Sequence, residues 1–335
     1  MARKRVTVLG GGVIGLSIAW RAAQAGFAVA VRDRGSAHAG SWVAGGMLAP
    51  VSEAWPGDEA VLALGLESIR LWPGFARELG VRLNTAGTLL TAVDAADAAV
   101  LDQHAAHLAA HGLEFQVLGA AGLREREPGL GPSVRSGLSI PGDLAVSART
   151  LLAALRTACA EAGVRFTGAA ESEVDGSTTV IAAGAWSAEL HPALRDVIHP
   201  VKGEILSLLA RPGALEAPER TIRAQVRGRA VYLVPNETRS GLLVGATQYE
   251  AGFDPTVRVR GVLDLLTDAE EVWPALTEYA LAETSVGFRA GSRDNTPLID
   301  WLEPGVLAAT GHHRNGVLLA PVTARRVVEL LGEAA

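Results

Sequence analysis

Three glycines and one aspartate near the start of the chain have the spacing of a phosphate-binding turn. The apolar run Arg5–Leu9 predicts a buried parallel strand. The next residues fit G-x-G-x-x-G at Gly10, Gly12 and Gly15, which allow a tight turn, close backbone approach to a pyrophosphate, and close helix packing. Asp33 has the position of an acid that binds ribose hydroxyls. The pattern predicts dinucleotide binding; a purely structural glycine turn is the alternative.

The elements around this turn follow from the same stretch. A helix is predicted over Leu16–Ala25 and a second strand over Ala28–Val31, ending at Asp33. The helix N-terminus would supply free N–H donors and a partial positive charge to phosphates. The small residues of 35–48 could let backbone lie against a long, flat ligand, the alternative being a surface loop.

Two later segments extend the prediction. The run Thr178–Ala183 predicts a central strand of the parallel sheet, followed by Gly184 where ligands bind in open α/β sheets, or by a simple tight turn. The chain ends with a second strand, glycine loop and helix, over Val306–Ala309, 311–316 and Val317–Leu331, with Pro321 in the first helical turn.

Charge and composition exclude several classes of function. The net charge of −6 and the pI near 5.8 argue against a nucleic-acid-binding surface. The 8 histidines show no metal-ligand spacing on a helix: His104 and His107 are three residues apart, but no carboxylate motif accompanies them. We therefore expect these two histidines at solvated helix positions and no metal site.

The first residues imitate a secretory signal peptide, but that interpretation explains neither Gly12 nor Asp33. No stretch offers about 20 unbroken apolar residues, so no membrane span is expected. The single cysteine, Cys159, cannot form an intramolecular disulfide and is expected to be a small core residue. A cytoplasmic protein is the default expectation.

The remaining patterns predict a second lobe. A helix over Glu59–Glu78 is expected to break near Pro73, and Ser147 has the position of an N-cap for a helix reaching Ala162. Antiparallel strands are predicted over the ranges Glu204–Leu209, Arg229–Pro235 and Gly241–Gln248, the last two joined by a polar turn. On the second of these, Ala230 and Tyr232 share one face.

At 335 residues the chain suits two lobes, and no linker separates them. We expect an α/β fold with a Rossmann-like lobe formed by residues 1–80, 145–199 and 303–335. The second lobe, built on a mostly antiparallel sheet, would comprise residues 81–144 and 200–302. The two lobes are therefore interleaved in sequence.

The motifs together resemble a known family. The segments GGGVIGLSIAW, SWVAGGMLAP, PVKGE, VGAT, GFRAGSRDNTPLI and ATGHHRNGVLLAP are similar to the glycine oxidases of thiamine biosynthesis, in the D-amino-acid oxidase family. The resemblance covers nearly the whole chain. It implies non-covalent FAD, oxidation of a small amino acid to an imine, reoxidation by O2 to give H2O2, and hydrolysis of the imine to the 2-oxo acid and ammonia.

The resemblance also implies site residues. Arg289 would hold the substrate carboxylate, Tyr232 would assist it, and Arg314 would be a second arginine near the flavin, with Gln248, Ala230 and Met47 in the substrate pocket. Proposed cofactor contacts are Gly10, Gly12, Val13, Ile14, Gly15, Asp33, Arg34, Gly40, Ser41, Gly45, Gly46, Met47, Ala170, Gly184, Trp186, Gly311, His312, His313, Arg314, Asn315, Gly316, Val317 and Leu318.

The chemistry of a carboxylate substrate is consistent with these roles, because a planar guanidinium binds a carboxylate bidentately. The alternatives are a surface ion pair for Arg289, a core position for Tyr232 and a solvent-facing loop position for Arg314. The chain departs from the family at Ala230, usually a histidine, and at Gln248, usually a methionine. The segment 168–177 is also shorter than the family's hairpin.

Alternative functions stay open. A D-amino-acid or sarcosine oxidase, or a dehydrogenase with another acceptor, would have the same fold. The covalent-flavin sarcosine oxidases need a suitably placed cysteine, and Cys159 lies far from any flavin motif. A catalytically idle flavoprotein is the alternative outside enzymes. We also expect that the protein forms homo-oligomers, as its family often does.

Overall fold

A computed structural model describes residues 4–168 and 178–333. The helices, in chain order, are α1 (Val13–Gln24), α2 (Gly40–Val43), α3 (Glu59–Leu79), α4 (Ala95–Ala110), α5 (Ala120–Arg126), α6 (Ala148–Glu161), α7 (Val259–Val272) and α8 (Ala320–Glu333). The strands are β1 (Arg5–Leu9), β2 (Ala28–Asp33), β3 (Met47–Leu48), β4 (Leu83–Asn84), β5 (Thr88–Ala92), β6 (Gln116–Gly119), β7 (Ser136–Ile140), β8 (Leu144–Val146), β9 (Arg165–Gly168), β10 (Thr178–Ile181), β11 (His199–Ala210), β12 (Thr221–Val226), β13 (Arg229–Pro235), β14 (Gly241–Gly245), β15 (Tyr279–Gly291), β16 (Leu298–Glu303) and β17 (Val306–Thr310).

The first sheet has the order β16-β17-β10-β1-β2-β9. Its strands are parallel except β16, which pairs with β17 in the antiparallel sense. The apolar side chains of Val8, Val31 and Val180 are fully buried in the core against α1 and α8. The predicted central position of Thr178–Ala183 is confirmed, because β10 lies between β1 and β17.

The second sheet has the order β15-β11-β14-β13-β12-β5-β7-β6. Its described neighbours pair in the antiparallel sense except β5 and β12, which are parallel. The three predicted antiparallel strands are present, and Arg229–Pro235 has the predicted bounds. The sequence analysis missed β12, although Arg223 and Gln225 alternate with its buried residues. The predicted α/β fold class is confirmed.

The predicted break at Pro73 is wrong, because α3 continues through it to Leu79. Proline removes one helical hydrogen bond, but the helix is stabilised by aromatic packing on both sides of this position. Trp72 is fully buried, its ring lies 5.4 Å from that of Phe75, and its Nε1 donates to the Leu318 carbonyl at 2.8 Å. Burial of a large aromatic side chain outweighs the loss of one partly solvated hydrogen bond.

Helix boundaries near the predicted site also differ slightly from expectation. Helix α1 already begins at Val13, and α8 begins only at Ala320, so Pro321 lies in its first turn as expected. The predicted N-cap is confirmed, since Ser147 Oγ accepts from the Thr150 N–H.

Strand β16 belongs to the first sheet by its hydrogen bonds, although the proposed division assigns residues up to 302 to the second lobe. The pairing of β16 with β17 was not visible in the sequence, because this strand carries polar residues between its apolar ones. A small third sheet, β3-β8-β4, forms a separate ladder, and its Leu48 and Val146 pack in the core of the first sheet. Among the described helices, none has the length and apolar character needed to cross a bilayer.

Candidate active site

The predicted phosphate-binding turn connects β1 to α1 and has the close contacts that require glycine. Gly10 has φ 121°, and a Cβ there would lie 2.3 Å from the Ala182 carbonyl oxygen. A Cβ on Gly15 would lie 2.0 Å from the Gly10 carbonyl oxygen. Only glycine tolerates both the positive φ and these backbone approaches. The turn is therefore compressed between β10 and the start of α1.

Two side chains complete this end. The Val13 N–H, in the first turn of α1, donates to Ser41 Oγ at 3.0 Å. Asp33 stands beside the turn, since a Cβ on Gly11 would lie 2.6 Å from Asp33 Oδ2. A helix N-terminus beside an acid suits a pyrophosphate and a ribose.

A cavity of about 1150 Å³ extends from this turn to the second sheet. A volume of this size exceeds the usual range for small-ligand sites and suits a dinucleotide. Most of the predicted site residues line it, namely Gly10, Gly12, Val13, Ile14, Asp33, Arg34, Gly40, Ser41, Gly45, Gly46, Met47, Gly184, Trp186, Ala230, Tyr232, Gln248, Arg289, His312, His313, Arg314, Gly316 and Val317.

Four predicted residues lie behind this lining. Gly15 packs under the turn, and the Gly311 carbonyl accepts from Ser292 Oγ at 3.3 Å. The Asn315 N–H is bonded to the His312 carbonyl, and the Leu318 carbonyl accepts from Ser68 and Trp72. They support the cavity wall without being part of its surface. The predicted adenine contact at Ala170 lies outside the described residues.

The part of the cavity that the second sheet forms, termed the far end, contains Arg289 on β15 and Tyr232 on β13. The Arg289 guanidinium lies over Gly203, where a Cβ would come within 2.6 Å of Nη1, and this Nη1 donates to the Thr247 carbonyl at 3.2 Å. Within residues 4–168 and 178–333, Arg289 pairs with no carboxylate, so the surface ion pair is not its environment. Its guanidinium is available to an anion in the cavity.

Tyr232 is held between two glycines. A Cβ would lie 2.5 Å from the phenol oxygen if placed on Gly245 and 3.3 Å from it if placed on Gly45. Burial raises the pKa of Tyr232 to about 12, although the charge of Arg289 acts in the opposite direction. Burial also lowers the pKa of Arg289, which nevertheless stays a cation. The far end therefore presents a guanidinium and a neutral phenol.

The sequence analysis missed a charge network in the cavity wall beside the far end. The Glu53 carboxylate is bonded to Arg223 Nη1 and lies 3.3 Å from Arg314 Nε, and Arg314 Nη2 also contacts Asp58 at 3.1 Å. Burial raises the pKa of Glu53, but the charges of Arg223 and Arg314 outweigh burial, so the net pKa is lowered. Arg314 is thus neutralised by two carboxylates and is not a free cation facing solvent.

Little in the sequence could have indicated Glu53, because no motif surrounds it and its partners are distant along the chain. Arg223 had a signal, since it alternates with buried residues on β12 and so had to point away from the core.

Burial makes the neighbouring histidines neutral. It lowers the pKa of His312 to about 3, and His312 Nε2 is 2.9 Å from Thr323 Oγ1. Burial, with the charges of Arg289 and Arg314, lowers the pKa of His313 to about 4.

The expectation of a solvated His104 is wrong: it is 1% exposed, with its ring 4.4 Å from that of Trp55. Tryptophan packing explains this burial, which spacing along α4 did not indicate.

Comparison with known proteins gives consistent matches along the chain. Residues 5–330 match the model of the DAO family, described as FAD dependent oxidoreductase. Glycine oxidase from Geobacillus kaustophilus is 32% identical, with 98% of this chain and 93% of the relative covered. The crystal structure of glycine oxidase from the same organism superimposes with a TM-score of 0.87, covering 98% of this chain and 95% of that one, at 30% identity.

A second relative is longer. The bifunctional protein ThiO/ThiG of Trichormus variabilis is 31% identical over 98% of this chain, which spans only 52% of that protein's length.

The residues present fit the cofactor of this family. The glycine turn accepts no Cβ, the helix N-terminus and Asp33 lie beside it, and the cavity continues to the far end. The family model matches residues 5–330, and the Geobacillus kaustophilus relative is 32% identical over 98% of this chain. This chain belongs to the DAO family of FAD-dependent oxidoreductases.

Proposed function

We propose that this protein oxidises glycine, or a similar small amino acid, to the 2-oxo acid, with release of ammonia and reduction of O2 to H2O2. The observation that carries the proposal is the cavity-lining guanidinium of Arg289, which forms no ion pair among the described residues, beside the neutral phenol of Tyr232. The similarity to glycine oxidases supports the choice of substrate.

In this proposal the substrate carboxylate binds Arg289 bidentately and accepts a hydrogen bond from the Tyr232 hydroxyl. Because Arg289 is pre-oriented by Thr247 and packs on Gly203, it holds the carboxylate in one orientation. The substrate Cα is thereby positioned relative to the cofactor. No acid–base pair of the protein is needed if the amine arrives neutral.

The cofactor would be held by the glycine turn, the start of α1, Asp33 and the lining segments 40–47 and 312–317. When bound, FAD supplies the two-electron redox chemistry that amino-acid side chains lack. Binding is proposed to be non-covalent, since the cysteine of this chain, Cys159, is a buried residue of α6 and does not line the cavity. Arg314 lines the cavity too, but its two carboxylate partners make it a structural group rather than a substrate ligand.

The cavity lining determines which substrate sizes the proposed enzyme accepts. Ala230 and Gln248 line the cavity where the family usually has a ring and a thioether, so a small D-amino acid or sarcosine has room to bind. H2O2 formation from glycine, sarcosine, D-alanine and D-proline at matched concentrations decides between these substrates. If none of these substrates reduces the bound flavin under anaerobic conditions, the result would instead favour a catalytically idle flavoprotein.

Arg289 provides the direct test. Arg289→Ala is expected to lower kcat/KM by roughly 30- to 5,000-fold, which corresponds to about 2–5 kcal/mol for a desolvated charge pair. Arg289→Lys should also be poor, because lysine lacks the planar fork. Arg293→Ala, which alters an exposed arginine four residues away, is the matched control. Near-normal turnover by Arg289→Ala with an intact flavin spectrum would exclude this residue from substrate binding.

The cellular context is also a proposal. The acidic chain and its single buried cysteine favour the cytoplasm, where thiols stay reduced. The similarity to the glycine oxidases of thiamine biosynthesis suggests that the product enters that pathway. Homo-oligomers are expected, and sedimentation of the purified protein would measure their size.

A further inference from the structure

Three side chains with metal-binding chemistry converge between α3 and α4, away from the cavity. They are Glu59 in the first turn of α3 and His107 and His111 at the end of α4. One ligand atom from each lies within 4.8 Å of the others. The sequence analysis considered the spacing from His104 to His107. The two histidines that converge are His107 and His111, four residues apart. The carboxylate comes from another helix, so spacing along α4 could not reveal it.

The two imidazoles are oriented as ligands. His111 Nδ1 faces the His107 carbonyl oxygen at 2.9 Å, so this nitrogen carries the proton and donates it, which leaves Nε2 as an acceptor. Metal-bound histidines commonly donate their other ring N–H to a backbone carbonyl in this way. His107 Nε2 is buried and has no hydrogen-bond partner among the described residues. A buried polar atom in that state requires an explanation, such as an ion.

The carboxylate is also positioned. One oxygen of Glu59 accepts from the Gly57 N–H at 3.0 Å, which restrains the side chain at the start of α3. Two imidazole nitrogens on consecutive turns of one helix face plus one carboxylate oxygen form a set that suits Zn²⁺. Water would complete a tetrahedral site, because His111 and Glu59 are exposed.

We propose that Glu59, His107 and His111 bind one divalent transition-metal ion of the Zn²⁺ type and so join the start of α3 to the end of α4. Imidazole nitrogens favour Zn²⁺ and its transition-metal neighbours over Mg²⁺, which prefers oxygen ligands. The site is independent of the proposed oxidase activity, since none of its residues lines the cavity.

The test is calorimetric titration of ZnCl2 into the FAD-loaded, tag-free protein after chelator treatment. MgCl2 is titrated in parallel. The variants are His111→Ala and Glu59→Gln, and the control is Asp102→Asn, which removes an exposed acid from the same helix. The flavin absorption spectrum of each variant verifies that it remains folded.

The expected result is one Zn²⁺ per chain, weakened about tenfold or more in each ligand variant, equal to about 1.4 kcal/mol. Asp102→Asn should bind like the wild type, and Mg²⁺ should give no comparable heat. The proposal is overturned if the wild type binds no Zn²⁺. It is also overturned if His111→Ala or Glu59→Gln retains wild-type affinity, or if Mg²⁺ binds equally well.

Discussion

The substitution Glu53→Gln tests the charge network in the cavity wall beside the far end. Glu53 is 11% exposed in its side chain and neutralises Arg223, 19% exposed, together with Arg314, 33% exposed. Glutamine keeps the shape and one acceptor oxygen but removes the negative charge. Arg314 would retain Asp58, whereas Arg223 would lose its carboxylate partner. The variant therefore leaves Arg223, a mostly buried cation, without the counter-charge that the described residues give it.

The magnitude follows from burial. Breaking a fully buried ion pair costs about 3–5 kcal/mol, and partial exposure of the arginines reduces this to roughly 2–4 kcal/mol. The unfolding entropy of 335 residues is about 0.7 kcal/mol per kelvin at about 2.1 cal/mol/K per residue. The expected decrease in Tm is thus about 3–6 °C. Glu78→Gln, which breaks the exposed pair with Arg21, should cost at most about 1 kcal/mol.

The same pair predicts a pH dependence. The folded pKa of Glu53 lies below the unfolded value, so its contribution to stability is fully present above the unfolded pKa. That contribution is lost as pH falls through the folded pKa. The difference in Tm between wild type and Glu53→Gln should therefore be constant at neutral pH and narrow in acid, as the pH falls below the ordinary pKa of a glutamate side chain.

Differential scanning calorimetry at fixed FAD concentration measures both quantities, since bound cofactor also shifts Tm. If Glu53→Gln lowers Tm no more than Glu78→Gln, or if the difference persists unchanged in acid, the network does not stabilise the fold as argued.

Two further predictions concern glycine and cysteine chemistry. Gly10→Ala should abolish FAD retention, because its Cβ would meet the Ala182 carbonyl oxygen. The control Gly26→Ala, at φ 94° with open space around it, should retain FAD and lose only about 1–2 kcal/mol of stability. Equal flavin content of the two variants after gel filtration would contradict this prediction. Cys159, fully buried with its pKa raised to about 12 by burial, should resist thiol reagents until the protein unfolds, and rapid labelling of the native protein would show that α6 opens.

The parts of the fold that were predictable depend on local patterns. Arg229–Pro235 and the glycine turn were found because side-chain alternation and glycine spacing are encoded within a few residues. The continuity of α3 through Pro73 was not predicted, because it depends on the hydrogen bond from Trp72 to the Leu318 carbonyl, which is distant along the chain. The group formed by Glu53, Arg223 and Arg314 likewise depends on three distant segments meeting.

The segment from Gly40 to Gly46 connects the glycine turn to the strands of the second sheet that line the cavity. Ser41 Oγ accepts from the Val13 N–H at the start of α1, while a Cβ on Gly40 would lie 2.9 Å from the Phe288 carbonyl, next to Arg289. A few residues later, Gly45 contacts the ring of Tyr232 and Gly46, at φ 78°, packs on the Val146 carbonyl. One short stretch of small residues thus contacts both the glycine turn and the strands that carry the proposed substrate ligands. Larger residues in this segment would separate the first sheet from the second. The segment therefore has to consist mainly of small residues for the lobes to pack, and it also lines the cavity.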